Sequence, residues 1–360
     1  MKVSELKAAL KPFSIVTSTP SLVPEYTRAV FYDKTMAVKT ARATLWSKAP
    51  TQFDDPIEVE VKDIYGIVSS LPESEEFHIE VDDNKLRWEC ATVQGGLAFR
   101  PGRKELPAPP RLPKKMTPTD DKLGRMFSLG SAACSNVALQ TIGLHGAAIY
   151  VEEDHMWCMS SDNISIAACR VDGIPISGMD ETVYVGPKEA QLLATLCERK
   201  GNLAFVDNVF LYQDKDLTAT VNLTVPLKHD LRNMLSRYTK SDDIIIPLVH
   251  DQIKAFIRRS TLLSELKSRV AVTIMVNKGK LTLIFSEDKA YSEEYYVAEG
   301  IPEHVQYEIT LHVNKLSSSS NYTDAFGASD ELIADLMEKK VMVIRSKTKD
   351  FYYVMGGHTG

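Results

Sequence analysis

The sequence predicts an α+β fold made by internal duplication: three domains, each with two helices packed on antiparallel sheets. Three observations predict it. A short amphipathic helix followed by antiparallel strands recurs six times in 360 residues. Nearly every repeat turns on a polar cluster between two apolar runs, and a repeat of this kind sets architecture before anything else. A proline-rich, basic stretch over 101–118 and a joint at Pro226–Asp243 then divide the chain into domains 1–116, 117–228 and 229–360, each of ordinary domain size. The turns are Tyr32–Met36, Val81–Leu86, Val151–Met156, Val206–Val209, Val276–Leu281 and Arg345–Phe351. Asp, Asn and Gly supply the backbone angles that tight hairpins demand.

The elements follow in order. Leu6, Ala9, Leu10 and Phe13 make one apolar stripe at helical spacing, which predicts a helix over Glu5–Ile15, broken or kinked near its end by Pro12. Strands Ala29–Tyr32 and Met36–Thr40 follow. The second repeat has strand Ile57–Val61, a helix over Lys62–Ser70 stopped by Pro72, and strands Phe77–Val81 and Lys85–Glu89. The 101–118 stretch has no periodicity and reads as an extended linker. The third repeat has a helix over Leu123–Asn136 and strands Ala147–Val151, Met156–Ser160 and Ser165–Arg170. The fourth has Thr182–Val185, then a helix opened by Pro187 at its favoured early position and running to Glu198, then Leu203–Val206, Val209–Tyr212 and Leu217–Val221. The fifth has Ile244–Leu248, a helix over Asp251–Leu263, and strands Ala271–Val276, Leu281–Phe285 and Ala290–Ala298. The sixth has Tyr307–Val313, Val341–Arg345 and Phe351–Met355. Either Asn314–Phe326 or Ser329–Glu338 supplies its helix.

The composition, 44% hydrophobic and 25% charged, is that of a globular protein. No apolar run approaches a membrane span, and the first residues read as a polar helix, not a signal peptide. Five cysteines, none at metal-ligand spacing, point to reduced buried thiols in a cytoplasmic protein. A formal charge of −6 argues against a protein that coats nucleic acid, but not against one that confines its basic residues to a single surface.

Several segments carry a family likeness. Leu144-His145-Gly146 followed by Ser161-Asp162-Asn163 resembles a Leu-Asn-Gly turn preceding a Thr-Asp-Gly turn. Asp230–Leu235 resembles an Asp-Tyr-Arg-Arg-Val-Leu joint, and Tyr352–Met355 a Tyr-Val-Val-Met ending. In order and spacing the chain resembles DNA polymerase sliding clamps of the bacterial beta type over essentially its whole length. The likeness implies a DNA clamp fold that forms a ring. Two subunits of three domains each would close around double-stranded DNA as a homodimer. DNA polymerase and the clamp loader would be tethered through linear peptide motifs, in the cytoplasm of a bacterial or phage-infected cell, with no membrane involved.

Phosphate contacts are independent of sequence, so lysines and arginines on the inner helices suit a protein that slides. The candidates are Lys7 and Lys11, Lys122 and Arg125, Lys188, and Lys254 with Arg258; read without the likeness, they are solvated helix faces. Residues four apart share a helix face, and Ile253, Phe256 and Ile257 lie on the other side of the Asp251–Leu263 helix from Lys254 and Arg258. By resemblance, the edge strand Gly96–Phe99, with Leu97 and Phe99, and the apolar pair Leu262 and Leu263 form the dimer interface. The peptide cleft is matched by Thr141, Leu144, Ser161, Asn163, Ile164, Ile166, His229, Met234, Tyr353 and Met355. Tyr353, His229 and Gly356-Gly357 depart from the family pattern.

No Gly-rich phosphate loop, zinc spacing or catalytic triad is present. The sequence therefore predicts no catalysis, no cofactor and no metal. Two rivals from other classes make different predictions. A duplicated-domain metal-dependent hydrolase or nuclease would bind a divalent ion near Asp162 or Asp242–Asp243. A structural assembly protein would assemble without DNA.

Overall fold

A computed structural model describes residues 1–18, 23–82, 85–102, 107–134, 146–162, 164–173, 176–224, 226, 230–239, 244–248, 250–263, 271–287, 291–299, 301–312, 332–337, 341–346 and 348–356. The chain opens with helix α1 (Val3–Thr17), a single 3-10 turn (Pro24–Thr27), strands β1 (Arg28–Lys39) and β2 (Ala43–Glu60), and helix α2 (Val61–Ser70). Strands β3 (Phe77–Asp82), β4 (Lys85–Cys90), β5 (Val93–Ala98), β6 (Arg100–Pro101) and β7 (Thr117–Pro118) follow. Next come α3 (Asp121–Gly130), β8 (Ala147–Glu152), β9 (His155–Ser161), β10 (Ser165–Asp172), β11 (Val183–Val185) and α4 (Pro187–Glu198). Then follow β12 (Asn202–Val206), β13 (Val209–Gln213), β14 (Leu217–Asn222), α5 (Leu231–Ser236), β15 (Ile244–Leu248) and α6 (His250–Leu263). The chain closes with β16 (Ala271–Asn277), β17 (Lys280–Glu287), β18 (Tyr291–Glu299), β19 (Tyr307–His312), β20 (Leu332–Met337), β21 (Val341–Ser346) and β22 (Phe351–Gly356).

Two compact units result. One holds Met1–Gly124, Ile174–Glu181 and Lys188–Val225; the other holds Arg125–Gly173, Thr182–Pro187 and Pro226–Gly360. The first contains a seven-stranded sheet ordered β1-β2-β14-β13-β12-β7, with β6 also on β2, and a three-stranded sheet β3-β4-β5. The second contains an eight-stranded sheet ordered β11-β8-β9-β10-β22-β21-β20-β15 and a four-stranded sheet β18-β17-β16-β19. Among the described strands all pairings in these sheets are antiparallel. In the first unit α1 packs on α2 and on β1 and β2, burying Leu6, Leu10 and Phe13 with Ile64 and Val68. Both ends of the proline-rich stretch are pinned in the seven-stranded sheet, by β6 on β2 and β7 on β12.

Local chemistry explains most turns. Asp207 and Asn208 (φ 51° and 64°) and Lys278 and Gly279 (φ 49° and 75°) take the paired left-handed angles of two-residue hairpins. Glu153, at φ 54°, turns β8 into β9. The structure departs from the sequence reading in four places. The 32–36 cluster is not a hairpin. β1 runs straight through it, and Asp33 (φ 51°) is absorbed as an irregularity between register shifts. An extra residue in a strand bends it without reversing it, so the reversal comes later, at Ala41-Arg42, and the long strand β2 was not anticipated. Pro12 does not break α1, which continues to Thr17. Helix α3 stops at Gly130 rather than Asn136, where the helix lies against the backbone of Cys158 too closely for any Cβ. Ser329–Glu338 is not a helix: Leu332–Met337 is a strand with neighbours on both sides. A doubly flanked strand carries near-continuous apolar sequence, and Leu-Ile-Ala-Asp-Leu-Met fits either spacing. The alternative helix, 314–326, lies outside the described residues. Pro247 sits in β15, the edge of its sheet, where a missing N–H is tolerated.

Candidate DNA-facing helices and peptide-docking face

Lys7 and Lys11 share one face of α1, and each has a carboxylate partner. Lys7 Nζ lies 2.7 Å from Glu73 Oε1, and Lys11 Nζ lies 3.5 Å from Glu198 Oε2. The hydrogen bond to Glu73, helped by its charge, raises the Lys7 pKa, and the same contact lowers that of Glu73. Lys122 is exposed on the first turn of α3, and Arg125 is half-buried. Lys188 is half-buried on the first turn of α4. On α6, Lys254 and Arg258 are exposed, whereas Phe256 and Ile257 are buried. The helix is therefore amphipathic in the sense the spacing predicts; the side chain of Ile253 lies outside the described residues.

One unanticipated network holds α1 against the end of α4. Pro12 has no N–H, so the carbonyl of Ala8, one helical turn earlier, loses its intrahelical donor. Arg199 Nη1 donates to that carbonyl at 2.8 Å. The same guanidinium donates through Nε to Asp214 Oδ2 at 2.7 Å. Asp214 also accepts from the Tyr212 hydroxyl and from the backbone N–H groups of Asp216 and Leu217. Burial pushes the Asp214 carboxyl up, but the Arg199 hydrogen bond and the backbone donors outweigh it and hold the pKa below the usual value. The proline is legible as a vacated acceptor; a donor so distant in sequence is not.

The dimer candidates divide. Leu97 is buried and faces Leu86 across β4 and β5. Phe99 is half-buried just after β5. Leu262 and Leu263 end α6, and their side chains lie outside the described residues. Among the described residues β5 has a strand neighbour on one side only. Beside it, Trp88 stacks on Phe77 with ring centroids 6.1 Å apart. The indole covers Gly95 so closely that a Cβ there would sit 2.5 Å from it.

Four peptide-cleft candidates, Thr141, Leu144, Asn163 and His229, lie outside the described residues. Of the rest, Ile166 and Met234 come together on one face of the eight-stranded sheet. That face carries a buried apolar cluster of Ala148, Tyr150, Trp157, Met159, Ile166, Ala168, Leu231, Leu235, Val343, Tyr352 and Val354, with the half-buried Met234 packed against it. Leu231 and Leu235, four apart on α5, anchor the short helix to the sheet. Asp230 caps it by accepting from the N–H groups of Arg232 and Asn233. Ile164 is 43% exposed beside this face. Ser161 is buried, and its hydroxyl donates to the Ser165 carbonyl. Tyr353 and Met355 are not brought to this face. Val354 pairs with Ile166, so its neighbours alternate to the opposite side, where both are fully buried.

Two features of the face were not read from sequence. The Tyr150 and Trp157 rings stack 6.3 Å apart. The Arg232 guanidinium lies 3.5 Å from the Tyr150 centroid, and that of Arg170 lies 5.7 Å from the Trp157 centroid. Burial is the main cause that raises the Tyr150 pKa, with Arg232 opposing it. On the other face, Cys158 and Cys169 are directly opposed across two strands, and burial pushes both thiols well up. Asp162 is occupied in its own turn, accepting from the N–H groups of Ile164 and Ser165; Asp242–Asp243 lie outside the described residues. Among the described residues no three His, Cys, Asp or Glu side chains gather as metal ligands, and no helix is long and apolar enough to cross a membrane.

No family model and no curated protein matches the chain. Solved structures do. A putative DNA polymerase III beta subunit from Eubacterium rectale superposes with a TM-score of 0.73 at 13% identity, over 100% of this chain and 98% of that one. The DNA polymerase sliding clamp of Pseudomonas aeruginosa gives 0.70 at 18%, over 100% and 99%. A DnaN sliding clamp from Bartonella birtlesii, solved bound to griselimycin, gives 0.74 at 16%, over 100% and 99%. The chain has the α+β fold of these clamps along its whole length.

Proposed function

We propose that this protein is a DNA polymerase processivity factor. Two copies close a ring around duplex DNA, and the apolar face beside α5 tethers DNA polymerase and the clamp loader through linear peptides. The fold shared with sliding clamps supports this reading, and the observation that carries it is a mismatch in the sheets. In the seven-stranded sheet, β12-β13-β14 joins through its third strand to β2, over Leu217–Val221. In the eight-stranded sheet, β8-β9-β10 and β20-β21-β22 join through their third strands, over Ser165–Cys169. Two similar three-strand runs are left over, β3-β4-β5 and β16-β17-β18. Strand β19 flanks β16 as β11 flanks β8. By the same rule β5 pairs antiparallel with β18 of a second copy, joining sheets of three and four strands into one of seven. β5 is six residues long, enough for a junction like the other two. An exposed strand edge is a ready template for such pairing.

The reading assigns domains 1–116, 117–228 and 229–360, joined in sequence by the two continuous sheets. It places the protein in the cytoplasm and gives it no catalytic role. Retention is topological, so weak phosphate contacts from Lys122, Lys254, Arg258 and their neighbours are sufficient and permit sliding. Ile166 and Met234, with the exposed Ile164, form the peptide floor; Tyr353 and Met355 support the sheet from behind. The decisive experiment loads the protein on nicked circular DNA with a clamp loader and then linearises the circle. Release from the free ends is the expected outcome. Equal retention on linear and circular DNA refutes encirclement.

A further inference from the structure

We propose that Arg232, held over the Tyr150 ring at the margin of the α5 face, reads an acidic side chain in the docked peptide. This rests on the reading of that face as a peptide site and specifies the ligand's chemistry: apolar anchors with one carboxylate alongside. Arg232 is exposed, yet its guanidinium is fixed on two sides. Its Cζ lies over the Tyr150 ring, 3.5 Å from the centroid, and Nη2 donates to Thr182 Oγ1 at 2.9 Å. A guanidinium has five donors in a planar fork. With one spent on Thr182, the rest of the fork stands ready for a carboxylate at little entropic cost. Among the described residues Arg232 makes no ion pair. Asp230 Oδ1 caps α5, and Glu152 is two residues further along β8 than Tyr150, opposite His155. His155 Nδ1 lies 2.8 Å from Asp172, which is also 3.9 Å from Arg170. Arg170 thus has a carboxylate within ion-pair distance, whereas the Asp230 and Glu152 carboxylates act on the Tyr150 site without pairing with Arg232. Tyr150 belongs to the same apolar cluster as Ile166, with Met234 packed on it, so apolar floor and cation are continuous.

The test is fluorescence anisotropy with two labelled ten-residue peptides. Both carry two leucine anchors; one has an aspartate beside them and the other an asparagine. Full-length wild-type protein should bind the aspartate peptide about ten-fold more tightly at low salt, the low end for a hydrogen bond to a charged group, with the preference shrinking as salt rises. In Arg232→Gln the preference should vanish while the asparagine peptide still binds. Arg232→Lys, which keeps the charge but loses the flat fork, should retain only part of it. Equal binding of both peptides by wild type, or a preference that survives in Arg232→Gln, overturns the assignment and leaves the peptide face standing. Failure of wild type to bind either peptide overturns the peptide face and this assignment with it.

Discussion

Replacing Arg199 by Met tests whether the bond between α1 and α4 depends on the proline in α1. The side chain of Arg199 is 18% exposed and that of Asp214 is 7% exposed, so the pair is nearly dry. Met preserves much of the packing volume and removes every donor. Removing one partner of a buried ion pair costs about 3–5 kcal/mol. Asp214 keeps two backbone donors and the Tyr212 hydroxyl, which places this case near about 3 kcal/mol on that scale. The Ala8 carbonyl loses its side-chain donor as well, and Pro12 cannot replace it; the carbonyl is exposed to water, so this adds no more than one ordinary hydrogen bond, about 1 kcal/mol. The sum, about 4 kcal/mol, corresponds to a fall in Tm of roughly 8–16 °C for a unit of this size. Circular dichroism melts and urea titrations measure both quantities. The diagnostic variant is Pro12→Ala, which restores an intrahelical donor to Ala8. It should help the Arg199→Met protein more than wild type, by about 1 kcal/mol. A loss below about 1 kcal/mol in Arg199→Met, less than one ordinary hydrogen bond, or equal effects of Pro12→Ala in both backgrounds, refutes the reasoning.

Other perturbations follow from the same geometry. Asp214 has a lowered folded pKa, so its contribution is complete above its unfolded value and fades as pH falls through the lower folded one. Acid titration of stability below about pH 4, the ordinary Asp range, should therefore be steeper in wild type than in Asp214→Asn. Gly95→Val would drive a side chain into the Trp88 indole; a red-shifted tryptophan emission is expected, with weaker self-association by ultracentrifugation if β5 makes the proposed junction, and an unchanged spectrum counts against the packing. Cys158 and Cys169 are fully buried with raised pKa values, so neither should react with a thiol reagent until the protein unfolds. Replacing the exposed pair Lys254 and Arg258 by Ala should shift Tm by no more than about 2–4 °C. It should also lower the salt dependence of DNA binding, since fewer counterions are released; an unchanged slope removes these two from the DNA face.

The amphipathic helices and the hairpins were legible because each depends on residues close in sequence. Leu6, Leu10 and Phe13 mark a helix face by spacing alone, and Asp207-Asn208 marks a reversal by its tolerance of positive φ. The same local signal misled at Asp33, where a turn residue became an irregularity because β2 offered a partner along the whole of β1. The segment Leu332–Met337 misled for a related reason: its apolar pattern suits a helix or an interior strand, and only neighbours on both sides decide between them.

By itself the sequence determined the repeat, the α+β class, the apolar faces of α1 and α6 and most reversals, since these follow from side-chain periodicity and backbone preference over a few residues. Only the tertiary structure decided which strands join the repeats into sheets, and which side of β22 meets Ile166. It alone also supplied the Arg199 donor to Ala8 and the aromatic seat under Arg232. Those contacts unite residues scores of positions apart, and their energy comes from burial and hydrogen-bond satisfaction that no local stretch of chain contains.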